Sequence, residues 1–335
     1  MKKKICIIGN RGHLNVVLDD LKNEPGYEIT GVCGAKEIPA EKVANDCARA
    51  LNYIPKIFEE NYIEMLDSLK PDILVVCGPF EEHSSMIVEG LKRKIHVFSE
   101  KPAATSPEGL NELTCAVKDN PEVKVAQMCG PYYEAGMWTA SKNLDAIGDI
   151  RLLNARKAYK LGSRPDYFRN RDTSSGLIPW VGIHAISWIY SFSGYTPFKT
   201  VFATHSTEFN HGYGDLEMTA ACLFKFEKDI AATVSIDYLR PENPDFDHGD
   251  DWIRIVGTEG TIEATSKECQ LTTRSSHETL SEKPPYGMFA DFLRSIEGKE
   301  SNATTGKDFL RVTQATLLAR ESADRSEAIE MSQIL

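Results

Sequence analysis

The 335-residue chain has no Cys-x-x-Cys pair, no Cys/His spacing suited to zinc, no long basic run and no apolar run near bilayer length. Each absence removes a class of function. A bilayer span needs ~18 consecutive apolar residues. The apolar run that follows Lys2, Lys3 and Lys4 stops at Gly9, short of a secretory h-region. With 38 Lys and Arg against 49 Asp and Glu, for a net charge of −11, the chain lacks the concentrated cations that phosphate backbones demand. Nucleic acid and membrane are therefore excluded as partners. Most of the eight cysteines (Cys6, Cys33, Cys47, Cys77, Cys115, Cys129, Cys222, Cys269) lie in apolar segments, where a thiol acts as a small hydrophobe. They are expected to be buried and reduced, in a soluble cytoplasmic protein without a metal.

What is present is enough apolar residue, 41%, to build two cores. Short apolar runs at 5–8, 29–33, 73–77, 96–98 and 123–128 read as strands buried on both faces. Helical patterns alternate with them, as in Leu14, Val17, Leu18, Leu21 and in Tyr62, Met65, Leu66, Leu69. Strict alternation predicts an α/β, Rossmann-type doubly wound parallel sheet over 1–128. Beyond it come strands in succession at 150–158, 201–206, 217–226, 230–238, 252–256 and 261–264, with helices at 178–191, 289–296 and 309–320. This texture predicts an α+β second domain over 129–335, carrying a large, mostly antiparallel open sheet. A Pro-rich acidic loop from Arg240 to Asp251 interrupts it.

The first strand runs into Gly9-Asn10-Arg11-Gly12-His13-Leu14, where a dinucleotide fold sets its glycine-rich turn. Such a turn lets N–H groups and a helix N-terminus face a pyrophosphate. Aligned on Gly9, the second and third glycines of G-x-G-x-x-G are Arg11 and Leu14, and an ordinary strand-to-helix turn reads the same way. No carboxylate closes the second strand to grip a ribose, since Gly34, Ala35 and Lys36 stand there. Lys36 either faces a 2′-phosphate, which points to NADP, or is a solvated loop residue. Further on, Glu100-Lys101-Pro102 follows a strand, which sets Lys101 at the carboxyl edge of the sheet, where open α/β folds bind ligands. A partly desolvated lysine there can exchange a proton with a substrate hydroxyl. A surface lysine at a loop start has the same sequence.

These elements resemble the glucose-fructose oxidoreductase, inositol dehydrogenase and rhizopine-catabolism (Gfo/Idh/MocA) family. The resemblance rests on Pro79-x-x-x-His83, the strand before Glu100-Lys101-Pro102, Gly148-Asp149-Ile150, the run from Gly257 to Glu263 and the closing helix after Thr305. It spans nearly the whole chain. The family's second motif, G-x-x-x-D-x-x-x-H, matches from Gly176 to His184, with Trp180 at the aspartate position. On a helix, 180 and 184 share one face. Indole in place of carboxylate removes a charged partner for His184 and offers a plane for a sugar face. Ile183, Ala185, Ile186 and Trp188 also give His184 the neighbours of a core histidine.

The resemblance implies an NAD- or NADP-dependent oxidoreductase acting on a secondary hydroxyl or keto carbon of a sugar, cyclitol or related polyol. Lys101 and His184 would be catalytic. Gly9, Asn10, Arg11, Gly12, His13, Lys36, Cys77, Gly78, Pro79, His83, Glu100 and Lys101 would border the cofactor. Lys157, Tyr159, Trp180, His184 and His248 would border the substrate, with Lys157 and Tyr159 opposite Arg156 and Lys160 by strand alternation. His248, Asp250 and Asp251 make only a weak case for a metal. A homodimer or homotetramer through the second sheet is implied as well. The departures at Arg11, Gly34 and Trp180 leave open a non-redox sugar or nucleotide sensor on the same fold. Glycoside cleavage through transient oxidation, with NAD recycled, is a third reading.

Overall fold

The apolar runs at the start of the chain become the parallel strands of a six-stranded sheet in the computed structural model, which describes residues 2–332 and 334. The strands are β1 (Lys3–Ile8), β2 (Tyr27–Cys33), β3 (Lys56–Phe58), β4 (Ile73–Val76), β5 (His96–Ser99) and β6 (Val125–Gln127), in the order β3-β2-β1-β4-β5-β6. Every pairing is parallel. Helices α1 (Leu14–Leu21), α2 (Ala40–Leu51), α3 (Tyr62–Leu69), α4 (His83–Lys92) and α5 (Pro107–Asp119) supply the crossovers. On α1 the predicted stripe Leu14, Val17, Leu18 and Leu21 is buried, against β-strand side chains such as Ile5, Ile7, Ile73 and Val75. Ser106 caps α5 by accepting from the Gly109 amide, with Pro107 at the first helical position. The outer face of α5 carries Cys115, which is exposed; the expectation of buried cysteines fails at this position.

The second unit begins with α6 (Ala135–Lys142) and then builds a nine-stranded sheet. Its strands are β7 (Ile150–Tyr159), β8 (Phe198–Ser206), β9 (Thr219–Phe226), β10 (Ala231–Asp237), β11 (Gly249–Gly257), β12 (Gly260–Thr265), β13 (Cys269–Thr273), β14 (His277–Leu280) and β15 (Ile329–Glu330). The order is β14-β13-β12-β11-β7-β10-β9-β8-β15, antiparallel throughout except for β10 beside β7. One face is covered by α8 (Ile183–Phe192), which follows the short α7 (Arg171–Ser174). Two expectations change here. Asp250 and Asp251 belong to strand β11 rather than to the acidic loop, because they pair with Ala158 and Lys157 of β7. The single helix expected over 178–191 is broken into a π-turn, Ile178–Gly182, followed by α8.

The chain then returns to the first unit with α9 (Met288–Ile296) and the start of α10 (Lys307–Arg325). The first unit thus comprises 2–128 and 286–310, and the second 129–285 and 311 onward, so assigning all of 129–335 to one domain is corrected. The reason is apolar: Phe289, Phe292 and Leu293 join the first core. Phe98 sits 5.2 and 5.1 Å from the Phe289 and Phe292 rings. Each aromatic pair of this kind adds about 0.5–1.5 kcal/mol beyond the area it buries. Asp20 closes the junction by accepting from the Phe289 and Ala290 amides at 2.8 and 2.9 Å.

Candidate active site

The turn after β1 is pinned from both sides. The Gly9 amide donates to Cys33 O at 2.9 Å and the Arg11 amide to Cys77 O at 2.8 Å. Gly9 and Gly12 both have positive φ, 72° and 80°. A Cβ on Gly9 would lie 2.4 Å from Cys77 O, and one on Gly12 2.5 Å from the Glu100 carboxyl carbon. Only glycine satisfies both conditions. The turn therefore presents bare backbone and the open N–H groups of the first turn of α1, the donor set a pyrophosphate requires. Leu14, at the third glycine position, is buried in the helix–sheet core. Asn10 donates to Asp46 at 2.7 Å. Arg11, at the second, lays its guanidinium 5.3 Å from the Phe80 ring centroid, beside Glu81.

Glu100 lies beneath this turn with no exposed surface. Its Oε2 accepts from the His13 amide at 2.7 Å and pairs with His13 Nδ1 at 2.9 Å. Burial alone would raise its pKa, but the His13 and Lys101 charges and the His13 hydrogen bonds prevail and hold it at about 2. Lys101 is 1% exposed, and its Nζ lies 3.6 Å from Glu100 Oε1. The Lys101–Pro102 peptide is cis. His83 is fully buried, with Nδ1 2.9 Å from Pro102 O and Nε2 3.0 Å from Gly78 O. It clasps the loop after β4 to the loop after β5. Burial pushes its pKa down, and the Pro102 and Gly78 carbonyls and Glu100 oppose that only in part. Cys77, His83 and Glu100 were expected to border the cofactor. Burial removes Cys77 from the surface and internal bonds occupy His83 and Glu100, so these three hold the turn and loops in position.

Lys36 does not stand alone after β2. Its Nζ lies 2.7 Å from Glu81 Oε1 and 2.8 Å from Glu82 Oε1. Both carboxylates come from the short 3-10 turn Phe80–Glu82 that follows Pro79. Their hydrogen bonds keep the lysine pKa above its usual value. Gly34 cannot carry the missing carboxylate, because a Cβ there would sit 2.4 Å from Glu59 O. Glu81 lies within the Pro79–His83 motif and is not among the site residues expected from sequence. The adjacent acidic pair Glu81-Glu82, one strand away from Lys36, was the available signal.

In the second unit, alternation along β7 divides the candidates as expected. Arg156 turns to Asp250 at 3.0 Å, and Lys157, on the other face, pairs with Asp251 at 2.5 Å. The Lys157 and Asp251 side chains are only 8% and 9% exposed. Burial lowers the lysine pKa, but Tyr159 and Asp251 raise it by more, so the net shift is upward. Lys157 Nζ lies over the Tyr159 and Trp188 rings at 4.9 and 5.4 Å. Tyr159 in turn stacks on His248 at 4.8 Å. Asp251 Oδ1 is buried and takes no hydrogen bond among the described residues.

His184 is half-buried on α8. Trp180, on the π-turn, does not share a regular helical face with it. The Trp180 ring is buried edge-on to Phe168 at 5.7 Å, so it fills the core instead of offering an open plane. Gly176 begins this segment at φ 83°, where a Cβ would meet Glu217 at 3.0 Å. Glu217 anchors the segment by accepting from the Leu177 amide at 2.9 Å and from Arg171 at 2.6 Å. Among the described residues no group of three His, Cys, Asp or Glu side chains is placed to hold a metal ion, and no helix is long and apolar enough to cross a membrane.

Comparison with known proteins agrees with this fold. Residues 3–127 match the model of the oxidoreductase family with an NAD-binding Rossmann fold, and 143–263 match the GFO/IDH/MocA C-terminal domain. A solved structure from Thermotoga maritima, of a protein assigned as an oxidoreductase, is 40% identical with a TM-score of 0.91, covering 98% of this chain and 100% of that one. The uncharacterized oxidoreductase YrbE of Bacillus subtilis is 24% identical over 280 residues, 78% of this chain and 79% of its own length. Levoglucosan dehydrogenase, in complex with NADH and levoglucosan, shares the fold at 17% identity and a TM-score of 0.83, with 99% and 100% coverage. A shorter match, 31% over 109 residues, reaches glycosyl hydrolase family 109 protein 1 of Akkermansia muciniphila. It spans 32% of this chain and 22% of that protein.

Proposed function

The chain belongs to the GFO/IDH/MocA family of NAD-binding oxidoreductases, and from that premise we propose that it moves a hydride to or from a secondary hydroxyl or keto carbon of a neutral sugar, cyclitol or polyol. The observation that carries this reading is Lys101, a buried lysine held 3.6 Å from a carboxylate at the carboxyl end of β5. When bound, the nicotinamide supplies the hydride acceptor or donor. Lys101 Nζ, as the neutral amine, takes the proton of the substrate hydroxyl during oxidation and becomes the ammonium; in reduction the ammonium gives that proton back. Glu100 fixes the ammonium by charge attraction and, through His13, ties its position to the glycine turn. His184 orients the reacting oxygen.

On the second unit, Lys157 and Asp251 offer a donor and a vacant acceptor side by side, which suits adjacent hydroxyls. Tyr159 and His248 provide the apolar platform that a sugar ring favours. The levoglucosan complex of a protein with the same fold supports a carbohydrate substrate. We further propose a cytoplasmic homodimer or homotetramer formed through the open face of the second sheet, where Phe202 and Leu223 are exposed. A sensor has no chemical use for Lys101 against a buried Glu100.

Purified protein titrated with NADH and then assayed on a panel of polyols tests the reading. Fluorescence enhancement and Lys101-dependent turnover are expected, and their absence on every substrate would overturn it. The short match to a glycosyl hydrolase supports a second outcome: release of nitrophenol from a nitrophenyl glycoside without net NADH, which would reassign the reaction to glycoside cleavage.

A further inference from the structure

The ribose-gripping carboxylate that a dinucleotide fold carries at the end of its second strand has no room here, since Gly34 is closed off by Glu59 O and Ile38 O at 2.4 and 2.8 Å from any Cβ. A carboxylate reaches the same place from the other side. The strand β1 lies between β2 and β4, so the loops after β2 and β4 flank the Gly9–Gly12 turn at the sheet edge. Lys36 from the first loop meets Glu81 and Glu82 from the second, at 2.7 and 2.8 Å. Glu81 spends one oxygen, Oε1, on that lysine. Its other oxygen, Oε2, is buried and takes no hydrogen bond among the described residues, and the nearest cation, Arg11, is 3.9 Å away.

We infer that Glu81 replaces the missing carboxylate as acceptor for the adenosine ribose hydroxyls, and that Glu81 and Glu82 together neutralise Lys36, so that the chain selects NAD(H) over NADP(H). The inference rests on the nicotinamide-cofactor reading above and deepens it. A 2′-hydroxyl is a donor and satisfies the vacant Glu81 oxygen. A 2′-phosphate has only acceptors, carries about two negative charges and meets two carboxylates. The two cations present, Lys36 and Arg11, are matched by two anions, so the rim has no surplus positive charge to attract it. To bind the phosphate, Lys36 would have to abandon both partners. The lysine that sequence alone leaves either to a 2′-phosphate or to solvent is therefore occupied, and the balance turns to NAD(H).

The test needs no substrate. Fluorescence titration of the full chain compares NADH, NADPH and the 2′-deoxyadenosine analogue of NADH. NADH is expected to bind at least about 100-fold tighter than NADPH, and about 10- to 100-fold tighter than the deoxy analogue, the range for a hydrogen bond to a charged acceptor. Glu81→Gln should weaken NADH to the level of the deoxy analogue and remove discrimination between the two. Glu82→Gln should leave NADH unchanged while tightening NADPH about tenfold. The wild-type comparison stands even if a variant is unstable. Equal affinity for NADH and NADPH, or full discrimination against the deoxy analogue in Glu81→Gln, would overturn the inference. Binding of neither nucleotide would instead overturn the cofactor reading on which it rests.

Discussion

The Glu100 carboxylate accepts the backbone amide of His13 at 2.7 Å and pairs with the ring of the same histidine at 2.9 Å, which ties the end of β5 to the turn in front of α1. One buried side chain thereby links the glycine turn to Lys101. Its pKa, about 2 in the folded chain against 4.5 ordinarily, fixes the sign of the acid response. The stabilisation is complete above pH 4.5 and is lost as pH falls towards 2, because only the unfolded chain takes up the proton in that window. Glu100→Gln leaves the ammonium of Lys101 buried without its counter-charge. A cost of about 3–5 kcal/mol at pH 7 is expected, as for other broken buried pairs. Urea unfolding at pH 7 and pH 3 checks both points: the gap between wild type and variant should narrow at the lower pH without closing.

Lys101→Met separates chemistry from binding. It removes the proton-exchanging group and keeps most of the side-chain volume. Turnover should fall by about 10²–10⁴, the range for loss of a general acid–base group, while NADH affinity changes little. Steady-state rates alongside fluorescence titration measure both. An equal loss in the two would mean that the lysine holds the cofactor rather than the proton.

The alternation of strands and helices in the first unit was legible because buried parallel strands and amphipathic helices leave different apolar periods. Leu14, Val17, Leu18 and Leu21 were enough to define α1. The return of α9 was not legible, since its stripe of Phe289, Phe292 and Leu293 states that it packs but not against which core. Lys101 and Lys157 were singled out by motif and by alternation, and the structure buries both beside a carboxylate. The meaning of Lys36 was missed for a different reason: its partners lie 45 and 46 residues away, and only the parallel packing of β2, β1 and β4 brings them together. Trp180 was misread because the segment opens as a π-turn instead of a regular helix, so it does not keep the helical register with His184.

His83 predicts a second pH dependence, also on the acid side of neutrality but at higher pH than the carboxylate's. Its folded pKa lies below the ordinary 6.5, so the unfolded chain binds the proton first and stability declines as pH falls below about that value. His83→Leu abolishes this slope and removes the one N–H that the neutral ring donates to Pro102 O or Gly78 O. A loss of about 1–3 kcal/mol is expected for the buried carbonyl that loses it. Thermal melts between pH 5 and 8 would read the slope and the loss together. A variant that retains the wild-type slope would exclude His83 as its source.

Lys157 and Asp251 are the pair on which the substrate reading can be separated from the fold. Both are buried, so removing either one strands the other charge, and Lys157→Met or Asp251→Leu alone should cost about 3–5 kcal/mol. Removing both at once leaves no unpaired charge, and packing of similar volume makes the double variant close to wild type in stability. The double variant therefore folds while lacking both the donor and the vacant acceptor. If the pair binds adjacent hydroxyls, KM for the polyol rises by about 100-fold or more, in line with two lost charge-assisted hydrogen bonds. NADH affinity serves as the control and should not move. An unchanged KM in the stable double variant would leave the pair a purely structural ion pair and shift substrate recognition to Tyr159, His184 and His248.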